Sequence, residues 1–300
     1  MQTSAAALVA QLAEIRLARV LQLPSLPHDL ARLLRSTDLA LAEICLSLVA
    51  TMIAGGSDPT RETMLSHGVG GAVAFLLSAC QPTAFLRRAL SVARHLCSRK
   101  PDLPLEHAMP FVPKLVPLTS HDDQQVAAGA LCCLSDLTEL RGELLGALLG
   151  SANDNNGSAL PTIFAALHSG WDALLVPALR IASHFFCAGT SAHVRAAIAH
   201  GVMQAMPTLL RHAKRAVRKD AAWALSNVLL EEDGAEYVDL MLNCDVLPHL
   251  LGNLVTPELD VRREATHCIN NARDRRRDGA VVAQPMIEAG VIPLLCGNLH

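Results

Sequence analysis

The sequence predicts an all-α fold: a right-handed superhelical solenoid of about six to seven helical repeats, forming a single elongated domain over residues 1–300. Three observations lead there. Half the chain is apolar (51%) while aromatic residues supply only 3%. Ala, Leu and Val must then carry the core, which suits closely packed helices better than sandwiches or barrels. Short proline-bearing segments recur, FVPKLVPLTS, ALPTIFAALHS, AMPTLLRH, VLPHLLGNL and VIPLLCGNL, with Pro113, Pro161, Pro207, Pro248 and Pro293 spaced 41 to 48 residues apart. Between them run longer segments sharing one apolar template, and a helix with a single apolar stripe can bury it only against a neighbour, so the units must stack.

In chain order, residues 1–29 read as an atypical N-terminal helical repeat or cap. MQTSAAALVAQLAEIRLARVLQ is Ala-rich, and Glu14, Arg16 and Arg19 interrupt any signal-peptide core. Leu39 to Ile53 is nearly long enough for a membrane span, but Glu43, Ser47 and Thr51 break it and make it a buried helix. At about 100° per residue it opens the template with Ala42, Leu46, Val49, Ala50 and Ile53. The offsets return in Phe85, Ala89, Val92, Ala93 and Leu96, then in Val126, Ala130, Cys133, Leu134 and Leu137. They return again in Leu174, Ala178, Ile181, Ala182 and Phe185, in Val217, Ala221, Ala224, Leu225 and Val228, and in Val261, Ala265, Cys268, Ile269 and Ala272. Proline opens the shorter segments because a first-turn N–H has no intrahelical partner. Gly68, Gly201 and Gly290 precede several of them, where a helix ends and the chain turns. The polar stretch SANDNNGSA, 151–159, is a loop insertion that accounts for the longest interval, and the chain stops at His300 inside what reads as a repeat's second helix.

Composition and motifs exclude several function classes. A net charge of −3 is no nucleic-acid or anionic-membrane footprint, and the basic clusters Arg211–Lys219 and Arg273–Arg277 read as solvated helix ends or loops. Nine cysteines without a CxxC pair fit reduced, buried thiols, not a disulfide framework or a zinc site. The thirteen histidines show no HExxH. GVGGAV at 68–73 lacks the third glycine of a dinucleotide loop and follows a helical stretch, so it is the break before the next repeat. No enzyme constellation and no cofactor site follow.

One feature is left over by the packing pattern. In RKDAAWALSNVLLEE, Trp223 and Asn227 lie roughly 120° from the middle of the apolar stripe, beside Asp220. An aromatic ring, an amide and an acid share a face the core does not need; the alternative is packing between neighbouring repeats. A period near 42 residues with two or three helices per unit is the signature of armadillo or HEAT solenoids. Within that class, VRKDAAWALSNVL (217–229) and ELDVRREATHCINNA (258–272) resemble adjacent armadillo repeats of importin-α, the nuclear-import adaptor family. LSVARHLCSRKPDLP, VAAGALCCLSDLTEL and VPALRIASHFFCAG resemble successive earlier repeats in the same order, over roughly residues 30 to 300.

The resemblance implies a concave groove in which Trp/Asn pairs on third helices sandwich lysine stems and hold an extended signal peptide. Indole faces attract cations by roughly 0.5–2 kcal/mol. The six helices place Leu48/Met52, Ser91/His95, Cys132/Asp136, Arg180/His184, Trp223/Asn227 and His267/Asn271 at those positions. The family's principal early-repeat site is therefore lost, with Arg88 standing where an acid or small residue would suit a basic ligand. The later, minor site matches better: Trp223, Asn227 and Asn271 fall on its positions, Glu264 on a rim carboxylate, and Arg180 on a repeat where the family itself carries Arg, while His267 replaces an expected Trp. Glu264 could instead pair with Arg262 or Arg263. The expected function is an adaptor for basic nuclear localisation signals in cytoplasm and nucleus, acting on Lys/Arg-rich cargo without nucleic acid or membrane. Importin-β enters only through a basic N-terminal segment outside this chain, since none precedes residue 30. The competing readings are a diverged armadillo scaffold without signal recognition and, third, a decoy that binds transport machinery.

Overall fold

The computed structural model describes residues 25–55, 58–98, 102–139, 141–150 and 158–275, together with 284, 287 and 288. The expected cap before Ser25, most of the 151–159 loop, Gly290, Pro293 and the chain's end lie outside the described residues. Two compact units follow one another, Met1–Leu137 and Thr138–His300, and the described residues of both are helical, without strands.

In the first unit, α1 (Leu26–Leu33) and α2 (Leu39–Gly55) precede a three-helix repeat made of α3 (Asp58–Ser66), α4 (Val69–Leu76) and α5 (Thr83–Cys97). The next repeat is more broken: α6 (Leu105–Ala108), a 3-10 turn, α7 (Val112–Leu115), a second 3-10 turn, then α8 (Gln124–Thr138). The second unit holds three repeats. They are α9 (Gly142–Leu149), α10 (Leu160–Ala165) and α11 (Asp172–Cys187), then α12 (Ser191–Ala199), α13 (Val202–Leu210) and α14 (Arg215–Val228), then α15 (Gly234–Asn243), α16 (Val246–Leu254) and α17 (Leu259–Arg275).

The six template segments are the third helices α2, α5, α8, α11, α14 and α17. Every stripe position is buried except Ala50 and Leu174, which are half-buried. Small residues at the repeated alanine positions let the third helices lie close: α14 packs along α11 on one side and α17 on the other. In α2, Ser47 and Thr51 return their hydroxyls to the carbonyls of Glu43 and Ser47, at 3.0 and 2.9 Å, so the polar groups that break its hydropathy are satisfied within the helix.

The turn between first and second helices needs a left-handed residue. Gly68 (φ 82) and Gly201 (φ 86) supply it, and at the matching point before α16 the chain uses Asp245 (φ 58). The prolines divide. Pro113 and Pro161 occupy second helical positions, and Pro248 is the third residue of α16, all within the first turn as expected. Pro207 does not open a segment: α13 begins five residues earlier, behind Gly201, and Pro207 sits inside it. The left-handed glycine, not the proline, sets that helix start.

Side chains stitch helices by reaching carbonyls at helix ends, which lack intrahelical donors. Asn253 donates Nδ2 to the Leu210 carbonyl at 3.0 Å, from α16 to α13. Buried Arg61 donates Nε and Nη2 to the Leu96 carbonyl at 2.9 and 2.7 Å, placing a cation at the C-terminal end of α5. Two arginines at the same template position repeat one clamp. Arg218 Nη1 binds the carbonyls of His212 and Ala213 (2.8 and 3.0 Å), and Arg262 Nη1 those of Thr256 and Pro257 (2.8 and 3.2 Å). Each closes the turn entering a third helix. The Arg211–Lys219 cluster is largely consumed by acids: Lys214 meets Asp172 at 2.7 Å, Arg215 meets Asp260 at 2.8 Å and Arg218 meets Glu258 at 2.7 Å. The described cysteines are all free thiols. Cys45, Cys97, Cys133 and Cys268 are buried, while Cys80 is exposed.

Candidate functional site

Helices α11, α14 and α17 present template-equivalent residues in two rows. In the outer row Arg180, Trp223 and His267 are all exposed; in the inner row His184, Asn227 and Asn271 are half-buried. Trp223 keeps 36% of its surface in solvent although α14 buries Ala221, Ala222, Ala224 and Leu225 around it. The ring therefore faces away from the core, because the apolar stripe already occupies the opposite side of the helix.

The inner row is not uniform. Asn271 donates Nδ2 to the Ser226 carbonyl at 2.9 Å, stitching α17 to α14. Asn227, one repeat earlier, has no such acceptor: its Nδ2 is enclosed and makes no hydrogen bond among the described residues. A buried donor left unpaired costs about 1–3 kcal/mol, so this amide gains from any carbonyl brought to it. His184 accepts or donates through Nδ1 to the Thr138 hydroxyl at 3.0 Å. Burial pulls its pKa down to about 4, with Glu139 opposing and Arg180 reinforcing the shift. The imidazole is neutral at pH 7.

The acids of the predicted site are occupied. Glu264 is 9% exposed, and its Oε1 accepts Nε and Nη2 of Arg263 at 3.2 and 3.0 Å. That is the neighbour pairing weighed from sequence, realised with Arg263; Arg262 is committed to its turn. Asp220 lies 3.2 Å from the Lys219 ammonium. Arg180, by contrast, has no ion pair among the described residues and is exposed. The face thus offers an indole, an unpaired amide and a free guanidinium, with its two carboxylates neutralised.

In the first unit the corresponding positions differ. Leu48 and Met52 are 4% and 1% exposed, so no open apolar groove exists there, and Arg88 stands 3.9 Å from Glu43. What sequence reading missed is the use of backbone carbonyls, in particular Ser226 by Asn271 and the turns by Arg218 and Arg262. The repeated Val-Arg pair at 217–218 and 261–262 was the available signal.

Residues 190–229, spanning α12 to α14 and including Trp223 and Asn227, match the family model of the armadillo/beta-catenin-like repeat. Importin subunit alpha-1a of Oryza sativa subsp. japonica is 25% identical over 206 residues, which are 67% of this chain and 37% of that protein. Among solved structures, an engineered protein superposes with a TM-score of 0.80 at 20% identity, covering 99% of this chain and 70% of its own. A designed armadillo repeat protein in complex with the peptide (KR)4 superposes at 0.69 with 17% identity, covering 84% of this chain and 99% of its own. The armadillo repeat is a non-catalytic interaction fold, and no cluster among the described residues could hold a metal ion. Residues 190–229 thus form an armadillo/beta-catenin-like repeat, within a chain that has the fold of armadillo-repeat proteins and is similar in sequence to an importin-α subunit.

Proposed function

We propose that this protein is a non-catalytic armadillo scaffold that binds an extended segment of a partner protein along the third-helix face of its second unit. The observation that supports this most is the exposed Trp223 ring one helical turn from the enclosed, unpaired amide of Asn227. A chain laid across α14 brings an apolar or cationic side chain to the indole, and its carbonyl pairs with Nδ2 once the Asn227 side chain turns outward from its enclosed position. Designed armadillo proteins of like fold are described as built for modular peptide recognition. The test is selection of peptides from a displayed random library, followed by calorimetric titration. Trp223→Ala and Asn227→Ala should each weaken the selected peptides by about tenfold, with helicity unchanged. Selected peptides that bind both variants as tightly as the parent chain overturn the reading.

A second reading, basic nuclear localisation signals as cargo carried between cytoplasm and nucleus, is favoured by the open indole. A like-folded designed protein is known in complex with (KR)4, and the sequence relative is an importin-α subunit. Under it, (KR)4 binds in the micromolar range or tighter, and Trp223→Ala weakens it. Failure of (KR)4 to bind a chain that still takes selected neutral peptides leaves the scaffold reading standing alone.

A further inference from the structure

A cavity of about 350 Å³ opens in the first unit, lined by His28, Ala31, Arg32, Arg35, His67 and Gly68. Its construction is local. His28, Arg32 and Arg35 recur at i, i+4 and i+7 along and just beyond α1, which places their side chains on one side. The opposite wall is the turn from α3 into α4, against which α1 packs. His67 is oriented there by its own helix: Nδ1 donates to the Thr63 carbonyl at 2.8 Å, so Nε2 of the neutral ring is an acceptor, suited to the proton of a hydrogen-bearing oxyanion. The Arg35 guanidinium lies over the first turn of α4, since a Cβ built on Gly71 would stand 3.8 Å from its Nη2.

This arrangement runs against ordinary helix electrostatics. The start of α4 carries N–H groups without intrahelical acceptors and is the positive end of its dipole. A cation placed there is repelled, yet the exposed Arg35 guanidinium lies beside it, and the exposed Arg32 lines the same pocket. The nearby carboxylates offset only part of the pocket's charge. Asp29 pairs with Arg32 at 3.7 Å, while Asp38 is spent at the start of α2, where its Oδ1 accepts the N–H groups of Ala40 and Leu41 at 3.0 and 3.2 Å. No carboxylate pairs with Arg35 among the described residues.

We propose that this pocket is a binding site for a tetrahedral oxyanion of the phosphate class, held by the guanidinium groups of Arg35 and Arg32 and flanked by the imidazoles of His28 and His67. The volume exceeds what a bare ion fills and lies in the range of small-molecule sites, so a phosphate monoester is the better-fitting form. The site lies in the first unit and is independent of the Trp223 face.

The test follows the histidine ring and arginine side-chain NMR signals of the full chain while inorganic phosphate, O-phosphoserine or chloride is added at constant ionic strength. Saturable shifts confined to His28, His67, Arg32 and Arg35 are expected with phosphate and larger affinity with the monoester; equal affinity for both assigns the free ion as the ligand. Arg35→Gln should weaken binding by about tenfold, consistent with loss of a charge-assisted, bidentate contact. Arg88→Gln, removing an exposed arginine elsewhere in the unit, should leave it unchanged. Arg35→Lys, should Arg35→Gln perturb folding, retains the charge and should bind at intermediate strength. Shifts that follow chloride equally, or that keep the parent chain's affinity in both Arg35 variants, overturn the site and leave a solvated basic surface.

Discussion

At the scale of single residues, the second unit carries two polar groups besides Asn227 whose surroundings do not suit them, and both have measurable consequences. The Tyr237 hydroxyl is buried without a hydrogen-bond partner among the described residues. Tyr237→Phe removes that unpaired group while keeping the ring, so the unfolding free energy should rise by about 1 kcal/mol in urea titrations; a loss of stability would show that the hydroxyl is satisfied. His184 gives a pH dependence. Its pKa falls to about 4 in the folded chain, chiefly through burial, against about 6.5 when unfolded. The unfolded state then binds the proton more tightly, so the stabilisation is whole above pH 6.5 and is lost as pH falls toward 4, on the order of 3 kcal/mol in all. His184→Gln should flatten the stability profile across that window; an unchanged slope would place the titration elsewhere. Residue identity at Trp223 was legible because a large aromatic at a non-core angle stands out against an Ala/Leu helix. The state of Asn227 was not legible, since Asn227 and Asn271 look alike in sequence while only Asn271 finds a carbonyl.

At the scale of the helix, the recurring device is an arginine that closes the turn before a third helix. Arg218 is well covered and binds two carbonyls and Glu258, whereas Arg215, three residues earlier, is largely exposed and binds Asp260. Arg218→Ala should therefore lower stability by about 2 kcal/mol, through carbonyls left without donors, and Arg215→Ala by a small fraction of that. Thermal melts of the two variants check the ordering, and equal effects would deny the clamp. The six third helices were readable because their template is a matter of spacing alone. Helix starts were less so. Pro207 looked like an opening residue, but backbone geometry gave that role to Gly201, and Asp245 took the same left-handed position without a glycine to announce it.

At the scale of the molecule, stability in a stack of repeats is a sum of local units and nearest-neighbour interfaces. The Asn253 stitch to Leu210 joins two successive second helices, so Asn253→Ala should reduce amide protection in α13 and α16 first and fade with distance along the chain. Hydrogen exchange measures it, and a uniform loss across all helices would mean the chain unfolds as one body. The repeat order of the fold was visible in the sequence over most of its length; which parts of the face are spoken for was not, because a pairing such as Arg263 with Glu264 depends on rotamers that spacing does not encode. That pairing has a further effect on selectivity. An incoming ammonium or guanidinium group must share this acid with the resident arginine, which already holds Oε1, so the net electrostatic gain is small. Discrimination among guests then falls to the flat, exposed indole of Trp223. Raising the ionic strength should loosen a visitor at this spot far less than a rim of unguarded acids would.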